Sequence, residues 1–267
     1  MLDQAFRLRL RFTDGRIGEQ GLDLYDGSTS FHGFARALQI TTHAFMADEV
    51  VGRATALRSG ALFFEAPRKG SVLFDITARF KRRPKSAPLN KEVFYDFTTV
   101  ALERATGNLS VEPQTKYVES RIRTDESFFD DLSEKLEGSL QEAHRSIDNE
   151  DVIVCLERPR STLVEFNNST SAWVHTREEN PDLHEYNGNM TRFNTKTGNG
   201  RAYISELDKI VPVRKSEAFN QRNKAWLTWS LHGDNVSTAK ELVFRGRQIE
   251  SASGVTKRLV LDDCWKV

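Results

Sequence analysis

Cysteine is nearly absent: Cys155 and Cys264 are the only two in 267 residues. They are too few and too far apart for a disulfide framework or a cysteine-rich metal site. Apolar runs are only a few residues long, so no membrane span is expected. The start, "MLDQAFRLRLRF", alternates charge with apolar residues and lacks the apolar core of a secretory signal. The expected setting is therefore the reducing cytoplasm. Net charge is also missing, with 38 basic residues balancing 38 acidic ones, which argues against a dedicated, strongly basic nucleic-acid binder. Three catalytic signatures are absent as well. There is no Gly-x-x-x-x-Gly-Lys-Ser/Thr phosphate loop, no His-Glu-x-x-His zinc helix and no Gly-x-Ser-x-Gly nucleophile elbow.

What is present is enough to build cores. Hydrophobic residues make up 38% of the chain and charged residues 28%, so a soluble, folded protein of one large or two ordinary domains is expected. The charge is segregated along the sequence. Residues 79–91 hold six basic side chains and no acidic one, whereas residues 125–151 hold ten acidic side chains against Lys135 and Arg145. Such blocks are most simply a basic loop and a solvated helix face, and they also permit head-to-tail pairing of subunits.

Hydrophobic periodicity gives an α+β chain. Phe6 to Phe12 alternates apolar residues with arginine, as a half-buried strand does. A helix follows through Ala47, with Asp26 and Ser28 as candidate caps. Strands are expected at Val50–Leu57, Ala61–Glu65 and Ser71–Phe80, then helices from Asn90 to Thr106 and from Asp125 to Ile147. After residue 150 the texture changes to short strands: "VIVCLE", "TLVEF", 187–194, 201–207, 209–214, 241–250 and 256–263, with one helix at Phe219–Leu231. "TKTGNG" sits between two of them and reads as a hairpin turn, not a phosphate loop. The expected organisation is an antiparallel sheet with packed helices over 1–149. A small five-stranded β-barrel with one helix follows over 150–267. "GFARALQITTHAF" in the first part, with "GNMTRFNTKTGNGRAYI" opening the second, resembles uncharacterised bacterial two-domain proteins seen among anti-phage defence genes. That resemblance implies a defence setting and transfers no functional residue.

The helix 28–47 carries the most chemistry. At about 100° per residue, Phe31, Phe34, Ala35, Leu38, Thr42 and Phe45 form a core face. Gly33, Ala37, Ile40 and Ala44 form a second, small face suited to close approach, including self-association. His32, Arg36, Gln39 and His43 share the narrow polar seam between them. His32 and His43 lie about 16 Å apart along the axis, too far to share a metal ion. The seam is therefore either a salt bridge from Arg36 to a distant carboxylate, with satisfied histidines, or a ligand- or partner-binding edge. His175 and His184, with Glu178 or Asp182, lack metal-ligand spacing, and "NPD" at 180–182 has no Glu-x-Lys to complete a nuclease core. Trp173, Tyr203, Trp226 and Trp229 read as core. The reading is a non-enzymatic recognition and assembly protein without cofactor, homo-oligomeric or bound to a protein partner. The first alternative is sequence-tolerant nucleic-acid binding through Arg79, Lys81, Arg82, Arg83 and Lys85. The second is a metal-dependent hydrolase or nuclease with dispersed residues.

Overall fold

The computed structural model describes residues 4–13, 21–53, 60–64, 72–150, 152–175, 182–235 and 240–267. It divides into two compact units, Met1–Val174 and His175–Val267. Fold class is as expected, an antiparallel sheet with packed helices followed by a closed five-stranded barrel with a helix.

In the first unit, β1 (Gln4–Thr13), β2 (Gly60–Phe64), β3 (Leu73–Phe80), β4 (Ile153–Arg158) and β5 (Ser161–Phe166) form one sheet. Its order is β2-β3-β1-β4-β5, antiparallel throughout. Period-two alternation decides which face is which. Phe6, Leu8, Leu10 and Phe12 point into the core, and Arg7, Arg9 and Arg11 point to the opposite face. Arg9 reaches Asp75 and Arg11 reaches Glu157, each at 2.6 Å. The register places Asp75 directly across from Arg9, and Glu157 across from Arg9 on the other neighbouring strand and so diagonal to Arg11.

The described residues of this unit form six helices: α1 (Leu24–Ala47), α2 (Lys91–Ala105), α3 (Lys116–Thr124), α4 (Glu126–Ala143), α5 (Arg145–Glu150) and α6 (Asn168–Val174). Asp23 caps α1, accepting from the amides of Tyr25 and Asp26. Asp26, expected to be the cap, instead ties α1 to α5 through Arg145 and Asn149. Those two partners hold its carboxyl below the ordinary range. Helix α1 is packed on both sides, as its pattern implies. Phe34 meets Phe12, and Phe31 meets Phe74 with ring centroids 4.6 Å apart. On the other side, Gly33 lies against α4. A Cβ on Gly33 would stand 2.3 Å from the Ala143 amide nitrogen and 2.6 Å from the Ser139 carbonyl oxygen. The expected helix 125–147 breaks at His144, which is fully buried with Nδ1 near the Leu140 carbonyl and Nε2 near Thr170 Oγ1.

The expected boundary at 149/150 is corrected to 174/175. "VIVCLE" and "TLVEF" do not open the barrel; they are β4 and β5, and β4 pairs with β1 through Arg9–Thr13. A strand at Val50–Leu57 is not found over its described part, 50–53; the rest lies outside the described residues.

The second unit contains β6 (His184–Phe193), β7 (Asn199–Ile204), β8 (Lys209–Lys215), α7 (Lys224–Asn235), β9 (Leu242–Glu250) and β10 (Thr256–Lys266). The helix starts at Lys224, not Phe219; Asn220 caps a short turn before it. Strands β6, β7 and β8 form an antiparallel meander. After α7, β9 returns to pair with β6, and β10 closes the barrel between β9 and a parallel β8. Three strands, a helix, then two strands, with the third and fifth parallel, is the connectivity of the OB-fold. Met190, Ala202, Ile204, Val211, Val213, Phe244, Leu259 and Leu261 fill its interior.

Candidate functional site

The polar seam of α1 faces a carboxylate of α4. Arg36 Nη1 donates to Glu142 Oε1 at 2.6 Å, and His32 Nδ1 stands 3.2 Å from Glu142 Oε2. Glu142 on α4 is the distant carboxylate that the sequence left open. Gln39 and His43 are half-buried further along. The seam therefore joins two helices of one unit.

The small face is corrected as a self-association surface. Ala37, Ile40 and Ala44 are each 1% exposed and Gly33 is buried, because α4 occupies that side. Of the basic segment, Arg79, Lys81, Arg82, Arg83 and Lys85 are all exposed, whereas Phe80 and Pro84 are buried. Arg79 stacks over Phe63 at 5.0 Å, on the sheet face away from the helices. Among the described residues, no group of three or more His, Cys, Asp or Glu could hold a metal ion. His175, Asp182 and His184 are described, but Glu178, Asn180 and Pro181 lie outside the described residues.

The barrel presents a surface that was not singled out from the sequence. Because Ala202, Ile204, Val211 and Val213 point inward, their alternates Arg201, Tyr203, Ile210, Pro212 and Arg214 line the outer wall. Arg192 pairs with Arg201, so the two guanidiniums share that wall. Tyr203 lies across from Ile210, which is 50% exposed. Its hydroxyl donates to Asp208 Oδ1 at 2.7 Å, and that carboxylate pushes the phenol above its ordinary range. Tyr203 is thus not a core residue but half of an exposed aromatic–aliphatic platform. Four residues along β8 from Ile210, Arg214 stands in a row with Val260 on β10 and Arg247 on β9, the last 3.7 Å from Asp262. With Lys215 they line a hollow of about 430 Å³. Burial lowers the Lys215 pKa, and the nearby Lys224 lowers it further.

This wall can do two things. Its guanidiniums offer forked donors to phosphate oxygens, and Tyr203 with Ile210 offers an apolar surface on which a base can lie. The signal was in the sequence only as Arg201 and Arg214 at the outward phase of two short strands within "RAYISELDKIVPVR". It was hidden because period-two polarity reads only as an outward face. Comparison of the chain with family models, curated proteins and solved structures finds no match.

Proposed function

We propose that the chain is a recognition protein that binds single-stranded nucleic acid along the outer wall of its barrel. One observation carries this reading: Arg201 and Arg214 share the outer wall of the second and third barrel strands with the Tyr203–Ile210 platform, and Arg192 on the first strand lies directly across from Arg201. In OB-folds that side takes oligonucleotides or oligosaccharides. Arginine favours the former, because phosphate matches its fork. The overall neutrality of the chain is compatible with this, since local charge sets the attraction. Exposed Lys81, Arg82, Arg83 and Lys85 supply a separate basic surface in the first unit.

The test is fluorescence anisotropy with a labelled 20-nucleotide single strand. If four phosphates are neutralised, affinity falls roughly fiftyfold between 50 and 200 mM salt. Arg201→Glu with Arg214→Glu should weaken binding by about tenfold or more and flatten the salt slope by roughly two. Arg82→Glu with Arg83→Glu should leave most of the affinity intact. A salt-independent affinity, or loss only in the second pair of variants, would remove the barrel wall from consideration.

A further inference from the structure

A cavity of about 530 Å³ lies in the first unit, where β1, β3 and the β4–β5 turn meet. Four arginines line it, Arg7, Arg9, Arg158 and Arg160, against two carboxylates, Asp75 and Glu157. Both carboxylates are engaged, Asp75 by Arg9 and Glu157 by Arg11, at 2.6 Å each. Among the described residues, Arg7, Arg158 and Arg160 have no carboxylate within 4.0 Å. Arg158 is oriented by a hydrogen bond from Nε to Ser161 Oγ and by the Tyr95 ring. Tyr95 in turn donates its hydroxyl to the Arg7 carbonyl.

Arg7, Arg158 and Arg160 are exposed, and among the described residues they share the lack of a carboxylate with exposed Arg79, Arg82 and Arg83 of the same unit. Arg9, Arg11, Arg36, Arg104, Arg121 and Arg145 each hold a carboxylate. Clustering three cations without one costs like-charge repulsion, and the lining keeps two net positive charges. The backbone adds a second, independent observation. Pro159 and Arg160 form the two-residue connection between β4 and β5, and Arg160 has φ +75°. Proline followed by positive φ is the pattern of a type II turn, in which the second central position favours glycine. An arginine there is strained, and its side chain stands at the cavity rim.

We propose that this cavity binds a small phosphate monoester. A phosphate monoester carries a charge of about −1.5 to −2 at neutral pH, which matches the uncompensated charge of the lining; a carboxylate carries half of that. Guanidinium pairs hold phosphate by forked, charge-assisted hydrogen bonds. Ser161 and Thr162 hydroxyls line the same cavity and can donate to the remaining oxygens. The volume falls within the range of small-molecule sites, roughly 300–1,000 Å³, and leaves room for the organic part of the ligand beside its phosphate. The proposal is independent of the barrel wall.

Isothermal titration calorimetry of the full chain with adenosine 5′-monophosphate, glucose 6-phosphate, inorganic phosphate and adenosine tests it. Either organic phosphate should bind at least tenfold more tightly than adenosine and than inorganic phosphate. Whichever of the two is tighter names the source, a nucleotide or a sugar phosphate. Arg7→Glu and Arg160→Glu should each cost tenfold or more. Arg160→Gly separates ligand binding from folding, because it relieves the positive-φ strain. It should leave the Tm unchanged or higher while affinity drops. Adenosine binding as tightly as its phosphate would overturn the proposal. So would unchanged affinity in Arg160→Gly, or no binding of either phosphate at millimolar concentration.

Discussion

Replacing Gly33 by alanine is expected to destabilise the first unit by about 2 kcal/mol, although alanine is the better helix former. Intrinsic propensity favours alanine over glycine by about 1 kcal/mol in a helix interior. Against that, the new methyl would meet the backbone of α4 at 2.3 Å and 2.6 Å. No rotamer change relieves a contact with backbone, so α1 and α4 must separate along their length. Overpacking of this kind costs typically 1–3 kcal/mol and occasionally more, and here the clash is at the severe end. Gly138, on α4 itself, supplies the contrast. It is exposed, and its Cβ would meet nothing within 4 Å. Gly138→Ala should therefore stabilise by up to about 1 kcal/mol. Urea titration followed by helical circular dichroism reads both. A Gly33→Ala protein as stable as the parent would mean that the two helices do not approach as described.

That pair of glycines also shows what the sequence made legible. Gly33, Ala37, Ile40 and Ala44 announced a helix side that needs a close neighbour, and the neighbour exists. The pattern could not say whether it belonged to the same chain or to a second copy, because periodicity describes one surface and never its occupant. The polar seam behaved likewise: Arg36 required an acceptor, and Glu142, 106 residues on, supplies it. The boundary was misplaced for a related reason. Short apolar runs such as "VIVCLE" read the same in either sheet, and only the long-range pairing of β4 with β1 assigns them. The barrel was legible as five strands and a helix because hairpin signals such as "TKTGNG" are local. Its outer wall was not, since arginines that alternate with apolar residues look like ordinary solvated positions until neighbouring strands bring them together.

Glu126→Ala should be the most damaging substitution of a charged residue, at about 3–5 kcal/mol. Arg104 is buried at 6% exposure, and its Nη2 donates to Glu126 Oε1 at 3.0 Å. Among the described residues, its Nε and Nη1 have no hydrogen-bond partner, although the guanidinium lies 5.9 Å from the Phe129 ring centroid. Removing Glu126 would leave a buried cation without its counter-charge, a situation that costs about 3–5 kcal/mol. The pair itself need not contribute that much, because both groups were desolvated to form it. Arg104→Met combined with Glu126→Leu should therefore recover most of the loss. Comparing the two proteins by urea unfolding decides the matter. Equal destabilisation would show that the ion pair, and not the stranded charge, is the source of stability.

Cys155 and Cys264 are both buried, one in each unit and with no third cysteine in the chain. Burial pushes both thiols up, Cys264 to about 12. Both sulfurs are shielded from solvent, Cys155 at 4% and Cys264 at 0% exposure, so a disulfide reagent such as Ellman's does not reach them in the native protein. Each sulfur becomes reactive only when its own unit opens. Labelling rates at the two positions, separated by peptide mapping, thus act as two clocks within one molecule, timing the opening of the sheet and of the barrel independently. A ligand that stabilises only one unit should slow only that unit's clock.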